Sequence, residues 1–220
     1  SSIEENYEKL FNLKKKMLIG LVDEERDVTY YKISTNVLKG DVKNPAGNGD
    51  DSVEGMLLGD RCYIRDGGEK LHEEGFYGEY DKETGELSIS LYEAMYLLKY
   101  DLLTIIDPDS KKELDEEALK EKLEDRHSFE TKFDVYEDLK DKGIIPKTGF
   151  KYGSTFRCYA GDPEDYHAEY MVQPVSKSYE VEWYHVSRAV RVAHTVKKDF
   201  VYGLVKDGSI NYLKIERETP

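Results

Sequence analysis

Apolar and polar positions alternate in two matching pairs of short segments at opposite ends of the chain. Gly20-Leu21-Val22 followed by Val28-Thr29-Tyr30-Tyr31-Lys32-Ile33 parallels Gly203-Leu204-Val205 followed by Ile210-Asn211-Tyr212-Leu213-Lys214-Ile215. Both copies read as a helix end, a strand, a charged turn and a second strand. The helix ends carry Lys14-Lys15-Lys16 and Lys197-Lys198, and the turns are Asp23-Glu24-Glu25-Arg26 and Lys206-Asp207-Gly208-Ser209. Such a repeat predicts a duplicated unit of which the first copy, residues 1–35, is only partly present. A helix end and a hairpin cannot bury an apolar face alone, so they need the missing front of their unit or a partner surface. With no initiating Met, the chain reads as a piece of, or a product processed from, a longer duplicated protein.

Residues 36–53 are rich in Gly, Asn and Asp around Pro45 and read as a flexible linker. From Glu54 the pattern predicts strands at Gly55–Tyr63 and Gly75–Tyr80, separated by the turn signal Asp66-Gly67-Gly68. Ser90-Leu91-Tyr92-Glu93 has the Ser-x-x-Glu spacing of a capping box, opening a helix with Leu91, Ala94, Met95 and Leu98 on one face. A helix over Leu114–Leu123 completes a small domain at 54–127. A larger domain follows at 128–220. There a helix at Phe129–Lys142 stripes Phe133, Tyr136 and Leu139 and ends at Gly143. Strands are expected at Ile144–Lys147, Phe156–Tyr159 and His167–Pro174, then a helix around Tyr184–Lys198 and the closing hairpin. The fold class is therefore α/β (α+β): a small N-terminal α/β domain, then a mixed sheet flanked by helices.

Composition narrows the function. A net charge of −14 argues against general nucleic-acid binding, which draws its affinity from Lys and Arg on phosphates. Any nucleic-acid site must be local, and Arg188, Arg191, His194, Lys197 and Lys198 crowd into eleven residues. Cys62 and Cys158 are the two cysteines, with no Cys-x-x-Cys or His/Cys cluster, so neither a disulfide framework nor a zinc site is indicated. A reducing cytoplasmic location fits this usage. No apolar run approaches the ~20 residues that span a bilayer. No metal or cofactor is called for by any motif.

Candidate chemistry lies in three segments of the last third: Lys147-Thr148-Gly149-Phe150-Lys151-Tyr152-Gly153 running on to Phe156-Arg157-Cys158-Tyr159, then Tyr166-His167-Ala168-Glu169-Tyr170, then Arg188 to Lys198. RNA carries its own nucleophile, the 2′-hydroxyl. An enzyme has to take that proton, protonate the departing 5′-oxygen and stabilise the charge on phosphorus. A Tyr, a His and a Lys suffice for this. His72, His127 and His185 read as structural, while His194, on the basic face, competes with His167. In Arg191, His194 or Thr195, and Lys198 the three-to-four spacing presents one helix face, with Val186, Ala189 or Val190, and Ala193 on another.

The order and spacing of these segments resemble the archaeal tRNA-splicing endonuclease family, whose catalytic domains carry a glycine-rich turn leading to a Tyr, a His-x-Glu-Tyr strand and an Ala-x-x-Val-basic-Lys helix. The small domain is similar to that family's N-terminal domain at Gly55-Met56-Leu57-Leu58-Gly59-Asp60 and at Ser90-Leu91-Tyr92-Glu93-Ala94. The resemblance runs over nearly all of residues 1–217. It implies cleavage of precursor tRNA at bulge-helix-bulge intron boundaries without a metal, leaving 2′,3′-cyclic phosphate and 5′-hydroxyl ends. By motif, Tyr159 becomes the general base, His167 the general acid and Lys198 the electrostatic stabiliser. Arg191, Lys197 and His194 become RNA contacts, with Arg191 at the place of an Arg that stacks on an extruded base.

A phenol needs a nearby cation to serve as a base at neutral pH, and Lys198 is expected to supply it. The resemblance also implies self-association, or association with the remainder of a duplicated chain, with Asp162-Pro163-Glu164-Asp165 as an acidic docking loop. Lys15, the repeat counterpart of Lys198, lacks a preceding Tyr and His and reads as a structural remnant. Cys158 departs from the Val common before the family's Tyr. The alternative is a non-catalytic structural subunit that binds RNA and a partner chain, which the intact Tyr159, His167 and Lys198 argue against.

Overall fold

A computed structural model of the chain describes residues 16–22, 25–43, 52–123 and 128–218. The expected helix end at Lys14 and Lys15, the turn residues Asp23 and Glu24, the linker stretch 44–51 and His127 lie outside the described residues. Two units separate: Ser1–Asp41 with Glu130–Pro220, and Val42–Phe129, each taken over its described residues.

The first unit is built on a seven-stranded sheet in the order β1-β2-β13-β12-β11-β10-β9. Its strands are β1 (Met17–Val22), β2 (Val28–Asn36), β9 (Ile145–Thr148), β10 (Phe156–Tyr159), β11 (Tyr170–Ser176), β12 (Asp199–Lys206) and β13 (Ser209–Glu218). All neighbours are antiparallel except β11 and β12, which run parallel. The hairpin at the chain's start is thus not left bare, because β2 pairs along β13 and the sheet absorbs it.

The repeat seen in the sequence is also a repeat of register. Gly20 faces Tyr30 across β1 and β2 as Gly203 faces Tyr212 across β12 and β13. At each, a methyl group on the glycine would touch that tyrosine ring at 3.4 and 3.5 Å. Where the copies meet, Ile33 pairs with Ile215, its own counterpart, so a local twofold axis passes between them.

Helix α4 (Phe129–Asp141) and helix α5 (Trp183–Thr195) cover opposite faces of this sheet. Phe200, Tyr202 and Leu204 pack with Val186, Val190 and Ala193 of α5, whereas the intervening Gly203 lies against Val135 of α4. Side chains alternate between faces along a strand, so the two helices must lie on different sides. The helix α4 ends as expected at Gly143, whose φ of 75° is the left-handed conformation a glycine adopts without strain.

The second unit has a six-stranded sheet in the order β5-β6-β4-β3-β7-β8. The segment expected as one strand from Gly55 to Tyr63 is a hairpin, β3 (Val53–Leu58) and β4 (Arg61–Ile64), because Gly59 turns the chain at φ 64°. The stretch expected as a strand from Gly75 is a helix end followed by a two-residue strand: α1 covers Gly68–Gly75 and β5 only Glu79–Tyr80. Strands β6 (Leu87–Ser90), β7 (Leu103–Ile106) and β8 (Glu113–Leu114) complete the sheet. The capping box forms on α2 (Leu91–Lys99): Ser90 Oγ accepts from the Glu93 amide at 3.3 Å, and Glu93 Oε2 from the Ser90 amide at 2.8 Å. Helix α3 (Glu116–Leu123) starts two residues later than expected, since Asp115 Oδ1 accepts from the Ala118 amide and Leu114 belongs to β8. Both cysteines are buried free thiols. No helix among the described residues is long and apolar enough to cross a membrane.

Candidate active site

Strand directions gather Tyr159, His167 and Lys198 at one end of the larger sheet. Strand β10 ends at Tyr159, and its antiparallel neighbour β11 begins beside that end, with Cys158 opposite Tyr170. Strand β12 runs parallel to β11 and begins at the same end, with Asp199 opposite Tyr170. The ladder continues one residue outward: the Glu169 amide donates to the Cys158 carbonyl at 3.0 Å and the Asp199 amide to the Glu169 carbonyl at 2.9 Å. The residue leading into β12, Lys198, reaches back over this corner, and its Nζ donates to the Ala168 carbonyl at 2.9 Å.

Two expected elements end differently. His167 precedes β11 rather than starting it: the strand opens at Tyr170, and His167 is exposed in the lead-in to it. A turn braces that lead-in. Asp162 Oδ1 accepts from the Glu164 amide, the Tyr166 amide donates to the Asp162 carbonyl, and Gly161 lies under the Tyr166 ring. Lys197 and Lys198 are not on the helix, because α5 stops at Thr195. The Lys197 amide donates to the His194 carbonyl at 3.0 Å and the Lys198 amide to the Ala193 carbonyl at 2.9 Å, with Lys197 at φ 55°. This pair of bonds is a Schellman ending, which turns the chain off the helix axis and into β12. Arg191, His194 and Lys197 are exposed on α5 and its ending.

The cation at Tyr159 is Arg157, not Lys198. The Arg157 guanidinium lies 5.3 Å from the centre of the Tyr159 ring and 5.7 Å from that of Tyr152. Burial raises the Tyr159 phenol above the ordinary tyrosine range, while the Arg157 charge pulls it down. Lys198 spends its reach on the Ala168 carbonyl instead. The sequence held a signal for Arg157: two residues before Tyr159 in a strand, it must share that residue's face. Its Nε is buried without a hydrogen-bond partner among the described residues.

Residues 129–212 match the family model described as tRNA intron endonuclease, catalytic C-terminal domain, and residues 53–120 match tRNA intron endonuclease, N-terminal domain. The chain is 35% identical over 212 residues to a tRNA-splicing endonuclease of Methanococcoides burtonii, covering 94% of this chain and 60% of that protein. It is 33% identical to one of Methanosarcina barkeri, over 94% of this chain and 59% of that protein. A third, of Natronomonas pharaonis, is 32% identical over 93% and 60%. The chain therefore spans about three fifths of the length of these relatives.

Proposed function

Because the chain belongs to the tRNA intron endonuclease family, we propose that it is the catalytic part of an RNA endonuclease cutting precursor tRNA at bulge-helix-bulge intron boundaries. The observation that carries this reading is the convergence of Tyr159, His167 and Lys198 at one end of the sheet. Tyr159 takes the proton from the 2′-hydroxyl, helped by the Arg157 charge against its ring. The exposed His167 gives a proton to the leaving 5′-oxygen as general acid. Lys198, fixed in place by Ala168, faces the charge that grows on the phosphorane. The products are a 2′,3′-cyclic phosphate and a 5′-hydroxyl, and the reaction asks for no metal. Arg191, His194 and Lys197 hold the RNA, and Arg191 stacks on an unpaired base.

Association with a second catalytic-like unit belongs to the same reading. Strand β1 is one of the two edge strands of the described sheet and exposes Leu18 and Val22. Its counterpart β12 carries the parallel strand β11 on the corresponding edge, so the expected occupant is a β11-like strand from such a unit.

The test is cleavage of a bulge-helix-bulge RNA in the presence of a chelator, with the product ends mapped, for the parent and for His167→Ala. Cyclic-phosphate ends from the parent and a loss of roughly 10²–10⁴-fold in the variant are expected. A folded chain that binds the RNA and leaves it intact would instead be a structural subunit.

A further inference from the structure

A cavity of about 370 Å³ opens between the β9–β10 turn and α5, away from the strand ends that hold the three reacting groups. Its turn side is Phe150, Lys151 and Tyr152, and its helix side includes His185, Arg188 and Val192. This is the size of a small-ligand site, and its chemistry is unusual for a chain of net charge −14. Lys151 and Arg188 are both exposed and have no carboxylate partner among the described residues. His185 is held by Glu182 at 3.0 Å. Phe150 is 87% exposed, an apolar ring presented to water at the lip of the cavity. Aromatic faces beside unpaired cations are what a single-stranded nucleotide requires: a surface for its base and a counter-charge for its phosphate.

The cavity is also linked to the reacting corner. Tyr152, in its wall, lies against one side of the Arg157 guanidinium, and Tyr159 lies against the same guanidinium. Along the helix, Arg188 stands one turn before Arg191, so a basic row leads from the Lys198 corner to the cavity. We infer that this cavity is a subsite for one unpaired nucleotide of the RNA substrate. Its base stacks on Phe150 and Tyr152, and its phosphate meets Lys151 and Arg188. The inference rests on the RNA-cleavage reading and adds a contact that fixes the bulge from the turn side, opposite the one assigned to Arg191.

The experiment is a thermodynamic cycle on the full chain. A bulge-helix-bulge RNA made uncleavable by 2′-deoxy substitution at its cut sites is titrated with the parent and with Phe150→Ala, an exposed substitution that leaves the core untouched. Each bulge nucleotide is replaced in turn by an abasic one. The expected result is roughly tenfold weaker binding by Phe150→Ala, the same loss from one abasic position with the parent, and no further loss when the two are combined. Additive effects at every bulge position, or an unchanged affinity in Phe150→Ala, would overturn the subsite. The uncut-to-cut ratio of the natural RNA, measured alongside, separates the two readings. A parent that cleaves while the cycle is additive loses only the subsite, and one that binds with a coupled cycle but does not cleave loses only the cleavage. A parent that neither binds nor cleaves loses both.

Discussion

The Lys198 ammonium donates a 2.9 Å hydrogen bond to the carbonyl of Ala168, the residue after His167. In the proposed mechanism one side chain has two tasks, supplying a charge and tying the His167 lead-in to the start of β12. Lys198→Gln separates them, since a glutamine amide can donate to the same carbonyl without carrying charge. Cleavage by Lys198→Gln should fall about 10²–10³-fold, the usual cost of removing one charge-stabilising donor. Its melting temperature should stay within a few degrees of the parent. A large drop in melting temperature would mean that the bond to Ala168, rather than the charge, is what Lys198 provides.

Arg157 offers a prediction about pH. Burial raises the Tyr159 phenol and Arg157 opposes that rise, so removing the guanidinium must move the phenol further upward. In the proposed mechanism Tyr159 is the general base and works deprotonated, so cleavage should rise with pH through this ionisation. For Arg157→Met the rising limb of the pH–rate profile should shift to higher pH, with a lower rate at neutrality. Arg157→Lys should recover part of the shift. A profile that falls uniformly without moving would reduce Arg157 to a packing role.

Lys197 sets stability and binding against each other. It holds φ 55° at the Schellman ending of α5, a conformation costing an L-residue about 1–2 kcal/mol. Lys197→Gly relieves that cost while adding freedom to the unfolded chain. The net gain should be about 0.5–1 kcal/mol, read as a higher midpoint in chemical denaturation. RNA affinity should fall, and its salt dependence should flatten by about one counterion. A variant that is both less stable and unchanged in binding would contradict each half.

Much of this was legible in the chain because the signals are local. The Ser90–Glu93 box, the Gly143 ending and the strand Phe156–Tyr159 follow from spacings of a few residues, and the structure keeps them. Helix α1 was not legible. Its sequence Gly-Glu-Lys-Leu-His-Glu-Glu-Gly has helix formers inside but a glycine at each end and one buried aliphatic residue, Leu71, so the apolar periodicity that marks a helix is missing. The end of α5 was misread for a different reason. Lys197 is a good helix former, yet it takes the left-handed conformation at the turn that leads into β12. At the site, residue types and order were readable. Which cation meets which ring was not, because Arg157 lies in β10 and Lys198 leads into β12, and only the sheet pairing decides their reach.

The Ile33–Ile215 pair tests whether the two copies share one core. Both side chains are buried, at 6% and 4% exposure, in the cluster that α5 covers, and each faces the other across β2 and β13. Lys32 reinforces the seam through Glu216 at 3.3 Å, but an ion pair still open to solvent contributes little beside buried aliphatic packing. Each isoleucine therefore carries most of its weight through the apolar contacts. Ile33→Ala and Ile215→Ala should each destabilise by about 2–4 kcal/mol in urea unfolding. Because the two side chains touch the same neighbours, the double variant should cost measurably less than the two added together. A hairpin merely resting on the surface would give a different pattern: Ile33→Ala nearly neutral, Ile215→Ala costly, and simple additivity between them.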